Sequence, residues 1–156
     1  MEDLPRLLSP PEPLRETLEL LKTAKNPLVI VGKGLAYAQA EKEILAFVEK
    51  TDLPFLATPM GKGVIADTHP NSVGSARSLA LKQADVIFLC GARLNWILHF
   101  GLPPRYRPDV KIIQLESDPL EIHNIKRASA VLNGDAKAVL GQLNALAAGD
   151  TWRFSR

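Results

Sequence analysis

Residues 85–96 read DVIFLCGARLNW, and this stretch decides the fold. Residues 86–90 are all apolar and short enough for a strand, which predicts a strand buried on both faces of a parallel sheet. The strand runs directly into the turn residue Gly91, which is followed by Arg93 and Asn95. In open α/β sheets, ligands bind at the carboxyl ends of the strands. The stretch therefore predicts a strand that holds a phosphate-binding guanidinium at the ligand edge of a sheet.

Four more strands are predicted from short apolar runs, which alternate with stretches of helical periodicity; they cover residues 28–31, 54–58, 111–116 and 130–133. We expect Ser9 to cap the first helix, and residues 60–73 to form a long loop. Strands that alternate with helices are typical of a doubly wound α/β fold, a parallel sheet with helices on both faces.

The composition indicates a single globular domain of 156 residues. A formal net charge of +2 without a basic block is too weak to indicate a nucleic-acid-binding surface, so we expect no nucleic-acid partner. No apolar run approaches the roughly 20 residues of a membrane helix, and we expect no signal segment at the amino end. Cys90 is the only cysteine and lies in an apolar strand, so we expect an inert core residue and no disulfide. These features predict an intracellular domain with no membrane partner.

A glycine turn formed by Gly32, Lys33 and Gly34 follows the first predicted strand and precedes a helix, which is the position of a phosphate cradle. No Gly-Lys-Ser/Thr sequence follows, so the turn is not a Walker A loop. Tyr37 stands where a dinucleotide fingerprint has its third glycine, and the second strand ends without an acidic residue, which disfavours an ordinary NAD enzyme. A tight turn that needs backbone freedom explains the glycines equally well.

Two carboxylates are candidate ligand contacts because they follow predicted strands. Glu116 could accept hydrogen bonds from ribose hydroxyls at the sheet edge. Asp135 could contact a ligand or cap the last helix, and both interpretations remain open. Asp118 is interpreted as the cap of a helical turn that begins at Pro119.

Arg77 and Arg93 are the best anion-binding candidates, since a fixed guanidinium binds phosphate bidentately; Lys62 is a weaker one. The three histidines are scattered without the spacing of metal ligands. We find neither a nucleophile elbow nor a Cys/His dyad. The sequence therefore predicts ligand-binding residues but no catalytic residue and no metal site.

Several motifs follow one another in a recognisable order: TPMGKG at 58–63, DTHP at 67–70, ARSLA at 76–80, ADV at 84–86 and GARLNW at 91–96. Together they resemble the middle domain of thiamin-diphosphate enzymes. The 2-hydroxyacyl-CoA lyases are the most similar subgroup, through ILHFGLPPRY at 97–106, and oxalyl-CoA decarboxylases come next. The resemblance implies an N-terminal linker (1–10), the central domain (11–147) and a C-terminal linker (148–156).

This resemblance implies a Rossmann-like sheet of about six strands in one domain of a larger lyase. The parent would cleave a 2-hydroxyacyl-CoA into formyl-CoA and an aldehyde one carbon shorter. Thiamin diphosphate and Mg²⁺ would be bound by the N- and C-terminal domains of the same subunit, so this domain would not be catalytic. The parent would be a homotetramer, in the peroxisome of a eukaryote or the cytoplasm of a bacterium.

The resemblance also assigns residues to ligands, with ADP as the nucleotide. The residues that would line the nucleotide crevice are Gly32, Lys33, Gly34, Arg93, Glu116 and Asp135. Arg77 would meet the phosphate of the coenzyme A of an acyl-CoA substrate. Related sequences often have aspartate in the place of Glu116. A stand-alone module that binds ADP or coenzyme A, and a purely structural spacer, are the alternatives.

Overall fold

The computed structural model describes residues 5–149 and 152–155, and a parallel sheet lies at its centre. The strands of this sheet are β1 (Pro27–Val31), β2 (Phe55–Ala57), β3 (Val86–Cys90), β4 (Lys111–Glu116) and β5 (Ala130–Asn133). The α-helices of the described residues are α1 (Pro11–Thr23), α2 (Lys33–Tyr37), α3 (Glu41–Thr51), α4 (Arg77–Gln83) and α5 (Ala136–Ala148). The expected α/β class is confirmed, and each strand lies where an apolar run predicted it.

The strand order is β2-β1-β3-β4-β5, and all four pairings are parallel. Helices α1, α3 and α5 pack on one face of the sheet, against alternate strand residues such as Val29 and Phe88. Helix α4 and the irregular segment that includes Leu98 and Tyr106 cover the other face. The chain adds β2 on one side of β1 and then returns to add β3 on the other side. This reversal of strand order leaves a crevice at the carboxyl ends of β1 and β3.

A sixth position in the sheet is marked by a single parallel bridge between Phe55 and Ser72. The Phe55 N–H donates to the Asn71 carbonyl at 3.0 Å, and the Val73 N–H donates to the Phe55 carbonyl at 2.9 Å. With Ser72 counted as the outermost position, the order matches the 3-2-1-4-5-6 order of the Rossmann fold. This segment is rich in polar residues and includes Pro70, which limits it to one bridge rather than a strand.

The predicted Ser9 cap is wrong, because α1 begins two residues later with Pro10 in the N-cap position. The backbone N–H of Ser9 donates to Oε1 of Gln142 at 2.9 Å, and Nε2 of Gln142 donates to the Ser9 carbonyl at 3.0 Å. Ser9 therefore pairs with the side chain of a residue 133 positions away, on α5. A local capping pattern could not reveal that partner.

The terminal segments also contact the domain. Trp152 and Phe154 pack against the apolar cluster on the α1, α3 and α5 face. The Phe154 N–H donates to the Thr51 carbonyl at 2.7 Å, and the Arg153 guanidinium donates to the Glu49 carbonyl at 3.1 Å. Residues 1–4, 150, 151 and 156 of the two predicted linkers lie outside the described residues.

Cys90 is fully buried at the end of β3 and forms no disulfide. Burial raises the pKa of the Cys90 thiol well above its usual value, which keeps it protonated and unreactive at neutral pH. Across the described ranges, no helix is long and apolar enough to cross a membrane.

Two glycine turns touch backbone to backbone where β1 and β3 end. The Gly32 N–H donates to the Cys90 carbonyl at 2.9 Å, and the Gly34 N–H donates to the Gly91 carbonyl at 3.0 Å. A Cβ atom on Gly32 would lie 2.2 Å from the Gly91 oxygen, closer than any side chain permits. Gly91 itself has a φ of +57°, in the left-handed region. The glycines after β1 are therefore required by the close approach of two turns.

We predict that Gly32→Ala lowers the free energy of unfolding by about 2 kcal/mol or more, because its methyl group must displace the Gly91 backbone. Gly141→Ala is the matched control, since nothing lies within 4 Å of a Cβ there and the position is inside α5. We expect this control to gain about 0.5–1 kcal/mol from helix propensity. Urea denaturation measures both. A Gly32→Ala variant as stable as the wild type would contradict the close contact.

Candidate functional site

A crevice of about 510 Å³ opens at the carboxyl end of the sheet, and residues at or after all five strand ends line it. The lining residues are Lys33, Gly34, Tyr37, Ala38, Thr58, Pro59, Met60, Gly91, Ala92, Arg93, Asn95, Ile97, Leu115, Glu116, Ser117, Asp135 and Ala136. Its position follows from the parallel topology, which brings the carboxyl ends of all strands to one edge. Cavities that bind small molecules are commonly 300–1,000 Å³.

The crevice brings together most of the residues predicted from the sequence: Lys33, Gly34, Arg93, Glu116 and Asp135. Gly32 is buried behind it against the Gly91 backbone. The N–H of Gly34 already donates to the Gly91 carbonyl, so in this geometry it is not a donor for a phosphate. The turn after β1 therefore offers a lysine side chain to the crevice in place of a full backbone cradle.

Arg93 projects from the turn after β3 because its neighbours Ala92 and Leu94 are both buried. Its side chain is 49% exposed, and Nη1 lies 3.2 Å from Oε1 of Glu121. A guanidinium has donors on two further nitrogens, which allows a second anion to bind beside Glu121. Asn95 accepts a hydrogen bond from the Ile97 N–H at 3.1 Å and begins the next helical turn.

Glu116 is held by hydrogen bonds on both its side chain and its backbone. Its Oε1 accepts from the N–H groups of Ser117 at 2.9 Å and Asp118 at 3.1 Å. Its carbonyl accepts from Nδ2 of Asn133 at 2.9 Å and from the Gly134 N–H at 3.2 Å. The Ser117 and Asp118 N–H groups therefore fix the carboxylate at the rim of the crevice, and the end of β5 holds the backbone of Glu116.

Both interpretations of Asp135 fit its placement, since it caps α5 and also lines the crevice. Its Oδ1 accepts from the Ala138 N–H at 3.0 Å, and Oδ2 lies 2.9 Å from the guanidinium of Arg6. Arg6 was not predicted as a site residue, because no local pattern links it to a residue 129 positions away. The predicted Asp118 cap is correct: its Oδ1 accepts from the Leu120 N–H at 3.0 Å.

Tyr37 stands at the mouth of the crevice with 74% of its surface exposed. The Lys33 ammonium lies 5.8 Å from the centroid of the Tyr37 ring, within cation–π distance. Residues 58–60 also line the crevice, although the sequence did not single them out as ligand contacts. The rule that parallel strands end at the same edge would have found them, because they directly follow β2.

Arg77 lies in a separate cavity of about 830 Å³, which we call the Arg77 cavity. Its lining residues are Leu56, Ala57, Pro59, Lys62, Asp67, Ser72, Gly74, Ser75, Arg77, Trp96, Ile97 and His99. Nη2 of Arg77 donates to the Ile97 carbonyl at 2.9 Å. Pro59 and Ile97 line both the crevice and the Arg77 cavity, so the two cavities are neighbours.

Tyr106 belongs to the apolar cluster on the sheet face that α4 covers, and it is 2% exposed. Its hydroxyl has no hydrogen-bond partner among the described residues. Burial raises the pKa of Tyr106 to about 12, and the positive charge of Arg77 acts in the opposite direction. The phenol therefore stays neutral next to Arg77 over the whole physiological range.

Two of the three histidines hold backbone turns. Nδ1 of His69 accepts from the Asn71 N–H at 3.1 Å, and Nδ1 of His123 accepts from the Ala128 N–H at 3.0 Å. Within the part of the chain that the structure describes, no group of three or more His, Cys, Asp or Glu side chains is arranged to hold a metal ion.

Comparison with known proteins places the chain in a family. Residues 14–143 match the family model for the central domain of thiamine pyrophosphate enzymes. The chain belongs to this family.

Similar curated proteins include 2-hydroxyacyl-CoA lyase 1 from Mus musculus, which is 56% identical over 142 residues, covering 87% of this chain and 24% of the relative. The Homo sapiens lyase is 54% identical over 144 residues, covering 88% of the chain and 25% of the relative. Oxalyl-CoA decarboxylase from Escherichia coli K12 is 42% identical over 140 residues, covering 89% of the chain and 25% of the relative. The chain thus spans about a quarter of the length of these relatives.

The fold is shared with a putative thiamin diphosphate-dependent enzyme from Mycobacterium smegmatis, with a TM-score of 0.74 and 21% identity. Benzoylformate decarboxylase from Polynucleobacter necessarius gives a TM-score of 0.72 and 22% identity. Each comparison covers 94% of this chain and 29% of the other chain. These likenesses show the Rossmann-like fold of the central domain.

We predict that Tyr106→Phe removes part of the alkaline loss of stability. Between pH 10 and about pH 12 the unfolded chain loses the phenolic proton while the folded chain keeps it. Rising pH therefore lowers the free energy of unfolding by up to about 1.4 kcal/mol per pH unit through this group. Tyr106→Phe should lack this component, and at pH 7 it should be as stable as the wild type or more so, since it removes an unpartnered hydroxyl.

Urea denaturation at pH 7, 10 and 11.5 measures the difference between the Tyr106→Phe variant and the wild type. Tyr37→Phe is the control at an exposed tyrosine. Parallel stability curves for wild type and Tyr106→Phe above pH 10 would contradict a buried neutral phenol.

Proposed function

We propose that this chain is the central domain of a thiamin-diphosphate-dependent 2-hydroxyacyl-CoA lyase. The observation that carries the proposal is the 54–56% identity to two mammalian lyases over nearly the whole chain. The parent enzyme cleaves a 2-hydroxyacyl-CoA into formyl-CoA and an aldehyde one carbon shorter. Thiamin diphosphate supplies the electron sink for breaking the carbon–carbon bond. The second candidate, a central domain of oxalyl-CoA decarboxylase, is supported by the lower identity of 42%.

The role proposed for this domain is binding and subunit packing, not chemistry. Thiamin diphosphate and Mg²⁺ are held by the N- and C-terminal domains of the same subunit, and four such subunits form the parent enzyme. The location is intracellular, in the peroxisome of a eukaryote or the cytoplasm of a bacterium. The sequences that flank this domain in the parent would separate a lyase from a decarboxylase or from a stand-alone binding module.

The crevice is proposed to bind a nucleoside diphosphate such as ADP. Lys33 and Arg93 line it with positive charge and suit the diphosphate. Glu116 is fixed through Oε1, and Oε2 can accept from a ribose hydroxyl. Tyr37 and Met60 are exposed at the crevice and offer apolar surface to a base.

The Arg77 cavity is proposed to bind part of the coenzyme A of the substrate. Arg77 and Lys62 provide two cations for its phosphate groups. The Arg77 guanidinium is oriented by its hydrogen bond to the Ile97 carbonyl. Trp96, with 72% of its surface exposed, lines the same cavity and adds an aromatic face for the less polar part of the ligand.

We predict that the chain binds ADP, and that Arg93→Ala weakens ADP binding about five- to tenfold through loss of one charge-assisted contact. Arg77→Ala should weaken coenzyme A binding and leave ADP affinity within about twofold, because Arg77 lines the separate cavity. Isothermal titration calorimetry with ADP and coenzyme A measures both.

Arg107→Ala is the matched control, since Arg107 pairs with Asp109 at 2.8 Å and lines neither of these cavities. An Arg93→Ala variant with unaltered affinity and lowered stability would favour a structural spacer. The absence of heat with both ligands would remove the nucleotide-binding proposal.

We further predict that the purified 156-residue chain has no lyase activity with thiamin diphosphate and Mg²⁺ added, because the groups that activate the cofactor lie on other domains. The measurement is chromatographic detection of the formyl-CoA that forms from a 2-hydroxyacyl-CoA. The full-length human lyase serves as the positive control. Measurable turnover by the chain alone would overturn the proposed division of roles.

A further inference from the structure

Residues 6–9, which we call the N-terminal segment, join two sides of the crevice. Nη1 of Arg6 donates to Oδ1 of Asp135 at 3.0 Å and to Oδ2 at 2.9 Å. The same nitrogen donates to the Ala38 carbonyl at 3.2 Å. Ala38 ends α2, Asp135 precedes α5, and both line the crevice. A single guanidinium therefore connects the end of one crevice helix to the start of the other.

The backbone of the N-terminal segment is docked along α5. The Asp135 N–H donates to the Leu7 carbonyl at 2.9 Å. Ser9 exchanges two hydrogen bonds with the side-chain amide of Gln142 on α5. A Cβ atom on Gly134 would lie 2.8 Å from the Leu7 oxygen, so the residue before Asp135 must be small for the segment to fit. These contacts fix the backbone from which the Arg6 side chain reaches Asp135.

The charges explain why this connection bears on ligand binding. Asp135 lines the same crevice as Lys33 and Arg93, and its carboxylate would repel a diphosphate. Arg6 contacts both oxygens of that carboxylate but does not itself line the crevice. Its side chain is 33% exposed and that of Asp135 is 24% exposed, so water screens the pair only in part.

We propose that Arg6 is a positioning residue of the crevice, which links Asp135 to the Ala38 carbonyl and neutralises the Asp135 carboxylate so that an anionic nucleotide can bind. The inference rests on the proposed function, in which the crevice binds a nucleoside diphosphate. Arg6, which precedes the first helix and strand, would then affect ligand binding through Asp135 and not by direct contact with the ligand.

The test is a double-mutant cycle between Arg6 and Asp135. Asp135→Asn removes the negative charge but keeps a side chain that caps helices as well as aspartate does. The variants are Arg6→Ala, Arg6→Lys, Asp135→Asn and the double variant Arg6→Ala/Asp135→Asn. Arg107→Ala is the control for loss of an exposed ion pair outside the crevice. Calorimetry gives the affinities for ADP and for uncharged adenosine, and urea denaturation gives the stability of each variant.

We expect Arg6→Ala to weaken ADP binding about three- to tenfold, the effect of one partly screened charge, and adenosine binding less than about twofold. Arg6→Lys should recover part of the ADP affinity. The double variant should bind ADP within about twofold of Asp135→Asn, because the uncompensated charge is absent from both. Arg107→Ala should bind both ligands like the wild type.

Two results would overturn the inference while the wild type binds ADP. One is an Arg6→Ala variant with wild-type affinity for ADP. The other is an equal loss of affinity for ADP and adenosine that Asp135→Asn does not reverse, which would assign Arg6 a merely structural role. A wild-type chain that does not bind ADP would instead remove the proposed binding of a nucleoside diphosphate in the crevice, and the inference with it.

Discussion

The close approach of the two glycine turns after β1 and β3 is the constraint on which the rest of the structure depends. These strands are neighbours in the sheet, but 58 residues of chain lie between Gly32 and Gly91, and β2 is among them. Local sequence therefore does not reveal that the two turns meet. Two backbone hydrogen bonds at 2.9 Å and 3.0 Å join the turns directly. Because no side chain fits between them, α2 begins close to the sheet edge, and Lys33 and Arg93 face the same crevice.

The fold could be predicted from the sequence where the burial of a strand requires a run of apolar residues. The five apolar runs became strands, because a strand covered on both faces tolerates few polar side chains. The edge at Ser72 escaped prediction since a single bridge carries no periodicity. Ser9 was misassigned for a different reason, because its partner Gln142 is adjacent only after folding.

The candidate site was predictable where it depends on strand ends and not where it depends on pairing. Glu116 and Arg93 directly follow apolar runs, so the parallel topology places them at one edge. The ion pairs of Arg93 with Glu121 and of Asp135 with Arg6 could not be read from spacing. These pairs determine how much charge each side chain offers to a ligand. Arg77 lines the neighbouring cavity, and its hydrogen bond to the Ile97 carbonyl could not be read from the sequence either.

The bridge at Ser72 also bears on aggregation, because it covers the β2 edge of the sheet. An outer strand with unpaired N–H and C=O groups is a template for edge-to-edge aggregation. At the β2 edge, both backbone groups of Phe55 are occupied by the Asn71 carbonyl and the Val73 N–H. The covering segment includes Pro70, which has no N–H with which to recruit a further strand. A polar loop thus protects the β2 side of the sheet from growing by addition of foreign strands.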